Sequence, residues 1–122
     1  MRTITCDIGH SGELHKLYQE YCKDTDQRLP NADIWLYNFT RPNFFCLLAK
    51  HGKKPVGFVM GNLEPFYNDK SAKVDIVFVR RGFRKMKFVR ELMSSAKEYL
   101  NNAHVLIVSY NRQKNKERQL CL

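Results

Sequence analysis

The sequence predicts an α/β (α+β) fold in which an antiparallel strand meander is followed by a β-α-β crossover. Two apolar runs, 43–50 and 55–63, flank His51-Gly52-Lys53-Lys54, which is a hairpin turn signal. A third strand-like run follows at 72–79. The hydrophobic period then becomes helical over 84–101 and gives way to another apolar run at 104–110, so the crossover sets the last two strands parallel. These observations predict one mixed sheet with helices on both faces.

The N-terminal third of the chain predicts one strand and two helical segments. Residues 3–8 alternate like a half-buried strand that Gly9 stops, and Ser11 is the expected N-cap of a helix. After Pro30, the segment 32–39 predicts a second helix or a lid. The first helix has apolar positions at helical spacing: Leu14, Leu17, Tyr18, Tyr21 and Cys22.

The later elements follow from turn signals and from the change of period. Tyr67-Asn-Asp-Lys70 predicts the turn into the third strand of the meander, and Asn101-Asn102 predicts the end of the long helix. The basic tail after Tyr110 predicts a short helix at most. The long helix has one predicted buried face: Phe88, Leu92, Ser95, Ala96, Tyr99 and Leu100.

Composition and charge restrict the class of protein. The 122 residues fit a single domain, 1–122, and 21 Lys and Arg against 12 Asp and Glu leave a net charge of +9. This charge predicts a polyanionic ligand, an acidic partner or nucleic acid. Six cations fall between positions 80 and 90 with no acid among them: Arg80, Arg81, Arg84, Lys85, Lys87 and Arg90.

Several other classes of site are not indicated. No apolar run approaches the roughly 18 residues of a membrane span, and the N-terminus lacks the apolar block of a secretory signal, so a cytoplasmic protein is expected. The four cysteines form no C-x-x-C pair, and the four histidines show no ligand spacing. Neither a metal site nor a disulfide framework is therefore predicted, and free thiols fit a reducing compartment.

Over residues 3–118 the chain resembles the GNAT superfamily of N-acetyltransferases. The run 46–61, an apolar strand, a polar turn and Val56-Gly57-Phe58, is similar to the paired strands of that family. The run 72–79 is similar to its fourth strand, and Val79 and Arg84 keep the family's five-residue spacing to the loop that binds pyrophosphate. The run 105–111 is similar to a strand that ends on an Asn facing the donor.

The resemblance implies an acetyl-CoA donor and an amine acceptor, such as an amine of a protein. It implies that pantetheine pairs with the end of the fourth strand and that pyrophosphate binds where the next helix begins, a position at which unpaired amides favour anions. The implied donor-binding residues are Phe78, Val79, Arg84, Lys85, Met86, Lys87, Phe88, Val89, Arg90 and Asn111.

The chain departs from the family pattern at both ends of the implied site. Lys87 and Val89 occupy positions where the family has glycine or alanine, and Val89 adds a stiff side chain near the phosphate surface. Lys114 and Arg118 stand where the family usually has Ala and a proton-donating Tyr. The family's two last strands are also missing, which predicts that a second copy or another protein covers the edge strand 105–110.

Acetyl transfer to an amine needs one group to take a proton and another to give one. Asp75 and Glu64 are the carboxylates expected to act as base, and Tyr110 is the nearest phenol to the thiolate. The alternatives are that both carboxylates are solvated or ion-paired and that Tyr110 packs in the core.

Three functions of different classes remain open from the sequence. The first is N-acetyl transfer to a primary amine by direct transfer in a ternary complex. The second is a catalytically silent relative that binds an acidic partner through its basic face. The third is nucleic-acid binding, which charge and exposed aromatic residues favour but which lacks any recognised motif.

Overall fold

The computed structural model describes residues 1–66 and 69–110, and in that part the elements follow the predicted order. A short 3-10 turn, Ile8–His10, precedes the first helix. The helices and strands are β1 (Arg2–Thr5), α1 (Ser11–Asp24), α2 (Ala32–Asn38), β2 (Phe44–His51), β3 (Lys54–Phe66), β4 (Asp69–Val79), α3 (Met86–Asn102) and β5 (Val105–Tyr110).

The strands form one sheet in the order β1-β2-β3-β4-β5. Successive strands up to β4 are antiparallel, whereas β5 is parallel to β4, so the predicted meander and crossover are both confirmed. Gly52 takes a left-handed φ of +64° in the β2–β3 turn, a conformation that glycine adopts without strain. The predicted turn at 67–70 falls partly, and the predicted helix of the tail wholly, outside the described residues.

Helices cover both faces of the sheet, as predicted. On one face, α1 and α2 bury Leu14, Leu17 and Trp35 against side chains of β2, β3 and β4. On the other face, α3 buries Leu92 and Ala96 against the opposite side of the same strands. Two apolar layers therefore fix the sheet from both sides.

Two helix details differ from the sequence expectations. Ser11 is the first residue of α1, because the preceding 3-10 turn, capped by the Asp7 side chain, runs directly into the helix. The long helix begins at Met86, since Lys85 is extended (ψ 144°) and serves as its N-cap. Val89 and Met93 lie in the buried stripe of α3, whereas the side chains of Phe88 and Tyr99 are only half-buried.

The helix α3 ends at Asn102, as the sequence predicts, but the left-handed residue is a different one. Asn101 and Asn102 both remain in the helix, and the left-handed conformation falls on His104, with φ +60°. Its amide donates to the carbonyl of Asn101, which turns the chain into β5.

Candidate active site

A bulge in β4 sets the position of Asp75. Met60 pairs with Ile76 and Gly61 pairs with Val74, so Asp75 is an extra residue with no counterpart on β3. A bulge changes which face the following side chains point to. Val74 consequently packs on the α3 face, whereas Ile76 packs on the α1 face.

The two carboxylates predicted as bases line one cavity. It has a volume of about 450 Å³, lies between the C-terminal part of β3 and the middle of β4 beside the turn that follows α2, and is lined by both Asp75 and Glu64. Asn62, also in its wall, donates from Nδ2 to Oδ2 of Asp75 at 3.1 Å. This amide fixes the orientation of the half-buried Asp75 carboxylate, while Glu64 is exposed.

Tyr18 of α1 is a neighbour of Asp75 that sequence reasoning missed. Burial is the main cause that raises the pKa of the Tyr18 hydroxyl to about 12, and Cys22, Tyr21 and the negative charge of Asp75 raise it further. Its ring lies 4.8 Å from that of Trp35. The sequence placed Tyr18 in the apolar stripe of α1, and nothing local showed that the charge of Asp75 acts on its hydroxyl.

The last residues of β4 extend past the described end of β5. The parallel register runs from Lys70–Val105 to Val74–Tyr110, whereas β4 continues to Val79. The amide of Arg80 donates to Val56 of β3 at 2.8 Å. Backbone groups alternate in direction along a strand, so those of Val79 point toward the open edge and those of Phe78 point toward β3.

Arg84 occupies the carbonyl at this open edge. Its Nε donates to the oxygen of Val79 at 2.6 Å, and its Nη2 donates to Oδ2 of Asp24 at 3.0 Å. The guanidinium also lies 5.5 Å from the ring centre of Phe78. Arg84 therefore ties the end of β4 to α1, and its charge is committed within the protein.

The cation run divides into two groups. Arg80 pairs with Glu20 at 2.9 Å, and Arg81 and Arg84 pair with Asp24 at 3.7 and 3.0 Å, so two acids of α1 neutralise part of the first group. The second group is Lys85, Lys87 and Arg90, which enter none of the ion pairs found within residues 1–66 and 69–110. Uncompensated positive charge is thus concentrated on the first turns of α3.

The N-terminus of α3 is suited to an anion. No side chain caps it, its first turn contains no acid, and Lys85, Met86 and Lys87 are exposed. The partial positive charge of a helix N-terminus adds to that of the lysines. The side chain of Val89 packs in the core between α3 and the sheet. It therefore does not occupy the space in front of the helix N-terminus, where an anion would bind. Lys87 extends along the surface, with Nζ 5.9 Å from the centre of the Phe88 ring.

Tyr110 lies apart from the carboxylates. It lines a smaller cavity, about 190 Å³, between β5 and α3, together with Val74 and Met93. Burial raises the pKa of its hydroxyl above the usual value. The structure thus brings Asp75 and Glu64 together and places Tyr110 on the opposite face of the sheet. The last predicted donor-binding residue, Asn111, lies outside the described residues.

The described residues contain neither a metal-binding cluster nor a membrane-spanning helix. Among residues 1–66 and 69–110, no three His, Cys, Asp or Glu side chains come close enough to hold a metal ion. In the same part of the chain, no helix has the length and apolar character needed to cross a membrane.

Comparison of the fold with solved structures gives many matches at low identity. The chain is similar to a ribosomal-protein-alanine N-acetyltransferase from Brucella melitensis biovar Abortus 2308, with a TM-score of 0.81 and 14% identity over 98% of this chain and 88% of that one. It is similar to an aminoglycoside acetyltransferase from an uncultured soil metagenomic sample, with a TM-score of 0.80 and 11% identity over 90% and 76%.

A third similar structure is an integron cassette protein from the mobile metagenome of Cole Harbour Salt Marsh, with a TM-score of 0.79 and 20% identity over 94% of this chain and 80% of that one. A search of curated protein sequences finds no match. The sequence profile of the acetyltransferase (GNAT) family matches residues 12–117, which include α1 from its second residue, α2, α3 and the strands β2 to β5. The chain therefore belongs to the GNAT family of acetyltransferases.

Proposed function

We propose that the protein is an acetyl-CoA-dependent N-acetyltransferase that passes the acetyl group directly to a primary amine within a ternary complex. One observation carries the proposal: β4 carries Asp75 of the carboxylate cavity and ends at Val79, a few residues before the uncapped, lysine-flanked N-terminus of α3. Asp75 and Val79 are four residues apart, about 13 Å at the rise of a strand. An extended donor lying along β4 spans that interval.

The donor is held, in this proposal, by the end of β4 and the start of α3. The lysines Lys85 and Lys87 and the first amides of α3 bind its phosphates, and the backbone of Val79 lies beside its arm. When bound, acetyl-CoA supplies a thioester whose carbonyl carbon accepts the amine.

The chain's own groups handle the protons. The amine loses a proton as its nitrogen bonds to the acetyl carbon, and the sulfur released by cleavage of the C–S bond gains one. Asp75, oriented by Asn62, takes the first proton directly or through water, with Glu64 beside it. Tyr110 faces the other side of the sheet, so the proton that reaches the sulfur is proposed to be the one that Asp75 has taken, carried by water.

The experiment is a titration with acetyl-CoA followed by an assay for released thiol. A ligand at 100 times its dissociation constant stabilises the folded state by about 2.7 kcal/mol, which raises the melting temperature by several degrees. Two control compounds are used. Desulfo-CoA tests binding without transfer, and acetate tests the acyl group alone. No shift in melting temperature with acetyl-CoA, together with no thiol released for any amine, contradicts the proposal.

A second candidate is a catalytically silent relative that binds an acidic protein. The observation that favours it is the hydrogen bond from Arg84 Nε to the carbonyl oxygen of Val79, at 2.6 Å. The family resemblance assigns the backbone of Val79 to the donor's pantetheine arm. The second candidate predicts no shift in melting temperature with acetyl-CoA. It also predicts that the protein is retained on an acidic resin and that this retention depends on the exposed Lys85 and Lys87.

We also propose a cytoplasmic location and a partner along β5. Cys6, Cys22 and Cys46 form no disulfide with one another, and reduced thiols persist in a reducing compartment. Strand β5 lies at the edge of the described sheet, and a second copy of the chain is the proposed partner.

A further inference from the structure

The carboxylate cavity also has a positive side. Its wall contains Arg41, in the turn after α2, and Lys73 of β4, facing the same space as Asp75 and Glu64. Both signs of charge thus line one volume of about 450 Å³. A ligand that fills such a cavity is expected to carry complementary charges of both signs.

Arg41 has an unsatisfied donor at this position. Its Nε is buried and has no hydrogen-bond partner. None of the ion pairs formed within the described parts of the chain involves Arg41. The ring of Phe44, 5.7 Å from the guanidinium carbon, supports the group from one side but offers no oxygen to its N–H groups. Arg41 is only half-buried as a whole and lines the cavity, so a ligand there meets its guanidinium group, and guanidinium groups pair best with carboxylate or phosphate oxygens.

We propose that the acceptor is an amine that also carries a carboxylate or a phosphate, with Arg41 binding the anionic group while the ammonium lies toward Asp75 and Glu64. The identification of the amine as the acetyl acceptor rests on the proposed function. On this proposal, polycations that carry no anionic group, such as aminoglycosides, are not the preferred acceptors. Lys73 adds to the positive side of the cavity, and Asn62 holds Asp75 in place on the negative side.

The experiment compares matched compounds that differ only in the anionic group. Glycine, β-alanine and γ-aminobutyrate, which span a range of distances between amine and carboxylate, are each compared with the corresponding amide. O-phosphoethanolamine is compared with ethanolamine. Binding is measured by calorimetry and by NMR shifts of the protein, and turnover is measured as thiol released from acetyl-CoA. One charge-assisted hydrogen bond predicts a preference of about 10-fold or more for at least one anionic compound over its neutral partner.

Arg41→Gln is the informative variant. It is expected to abolish the preference, raising the dissociation constant or KM of the anionic compound about 10-fold while leaving those of its neutral partner and of acetyl-CoA unchanged. The matched control is Arg2→Gln, which removes an exposed arginine of β1 that does not line the cavity. If Arg41 only packs on Phe44, Arg41→Gln lowers the melting temperature and leaves the acceptor preference intact.

The outcomes separate the two proposals. Release of thiol at equal rates with anionic amines, neutral amines and an aminoglycoside overturns the inference and leaves the transferase function standing. Binding of an anionic amine that depends on Arg41, with no binding of acetyl-CoA, supports the cavity assignment and overturns the transferase function. No binding of any anionic compound in preference to its neutral partner overturns the inference in either case.

Discussion

At the residue scale, the carboxylate of Asp75 is positioned by its backbone and held by one amide. The bulge inserts Asp75 between two residues that pack on opposite faces of the sheet, and Asn62 donates to it at 3.1 Å. An oriented, half-buried carboxylate next to a cavity is suited to accept a proton from a substrate. Glu64 lines the same cavity but is exposed, so its effect on catalysis is expected to be smaller.

Asp75→Asn is expected to lower kcat about 100-fold or more, because the amide cannot accept the proton of the acceptor amine. Glu64→Gln is expected to lower kcat less. Both are measured as thiol released from acetyl-CoA, with the melting shift by acetyl-CoA as a test that the donor still binds. Glu98→Gln, which removes an exposed carboxylate of α3, is the control. Full activity of Asp75→Asn would remove Asp75 from the mechanism.

Tyr18 predicts a pH dependence of stability. Its folded-state pKa of about 12 lies above the usual value of 10.0, so the folded protein keeps a proton that the unfolded chain loses. Stability from this group is therefore present below pH 10 and declines between about pH 10 and 12. Urea unfolding of the wild type and of Tyr18→Phe at pH 9 and pH 11 tests this. The variant is expected to lose less stability over that interval, and an equal loss in both proteins would contradict the assignment.

At the scale of elements, the bulge depends on the close approach of β3 and β4 at Gly61. A Cβ added to Gly61 would lie 2.1 Å from the carbonyl oxygen of Lys73, a distance that forces the strands apart. The strand pairing that forms the bulge at Asp75 thus requires glycine at position 61. The position of the predicted base therefore depends on Gly61.

Gly61→Ala is expected to destabilise the protein by about 1–3 kcal/mol through overpacking and to reduce activity further by moving Asp75. Urea unfolding gives the first effect, and kcat at a temperature where the variant is folded gives the second. Gly12→Ala in α1 is a matched control, because an added Cβ there meets nothing within 4 Å. A stability change in Gly61→Ala no larger than in Gly12→Ala would show that the strands tolerate the extra carbon.

The loop from β4 to α3 separates committed cations from available ones. Arg81 is paired with Asp24 on α1, whereas Lys85 and Lys87 enter no ion pair among the residues described. Only the cations without an ion pair gain a new partner when a phosphate binds. Substituting the paired and the unpaired cations is therefore expected to affect donor binding differently.

The double variant Lys85→Gln with Lys87→Gln is expected to weaken acetyl-CoA binding by about 10-fold and to reduce the dependence of the dissociation constant on salt. Arg81→Gln removes an equally exposed cation that is already paired and is expected to have a smaller effect. Calorimetric titration at two salt concentrations measures both. Equal effects of the two changes would mean that general positive charge, and not the start of α3, attracts the donor.

At the scale of the whole molecule, β5 presents apolar side chains at the edge of the described sheet. Leu106, Ile107 and Val108 are 63%, 48% and 38% exposed. An exposed apolar edge strand favours pairing with another chain. This is the surface along which the proposed second copy pairs.

Leu106→Lys is expected to shift the protein toward the monomer in sedimentation equilibrium, since a charge on an edge strand opposes pairing. Ile34→Lys in α2 replaces a similarly exposed apolar side chain away from this edge and is expected to leave association unchanged. A monomeric wild type at high concentration, or an equal effect of the two substitutions, would contradict pairing along β5.

The sequence predicted the elements well where the pattern was local. The apolar runs at 43–50 and 72–79 form strands of the sheet, and the glycine lies in the turn between β2 and β3. The buried face of α3 was predicted less well, because Val89, assigned to the phosphate surface, lies in the core. Val89 precedes Leu92 by three residues and Ala96 by seven, so helical spacing places it on their face, and only the family resemblance assigned it to the phosphate surface.

By itself, the sequence determined the order of elements, the meander with its parallel crossover and the family, because strand alternation, helical period and short motifs are properties of neighbouring residues. Only the tertiary structure decided which charges are available. The carboxylates of Glu20 and Asp24, about 60 residues from the cations they meet, neutralise the first half of the basic run. It also decided that Arg41, Glu64 and Asp75 share one cavity, since side-chain distances across a sheet depend on register and bulges that no local pattern specifies.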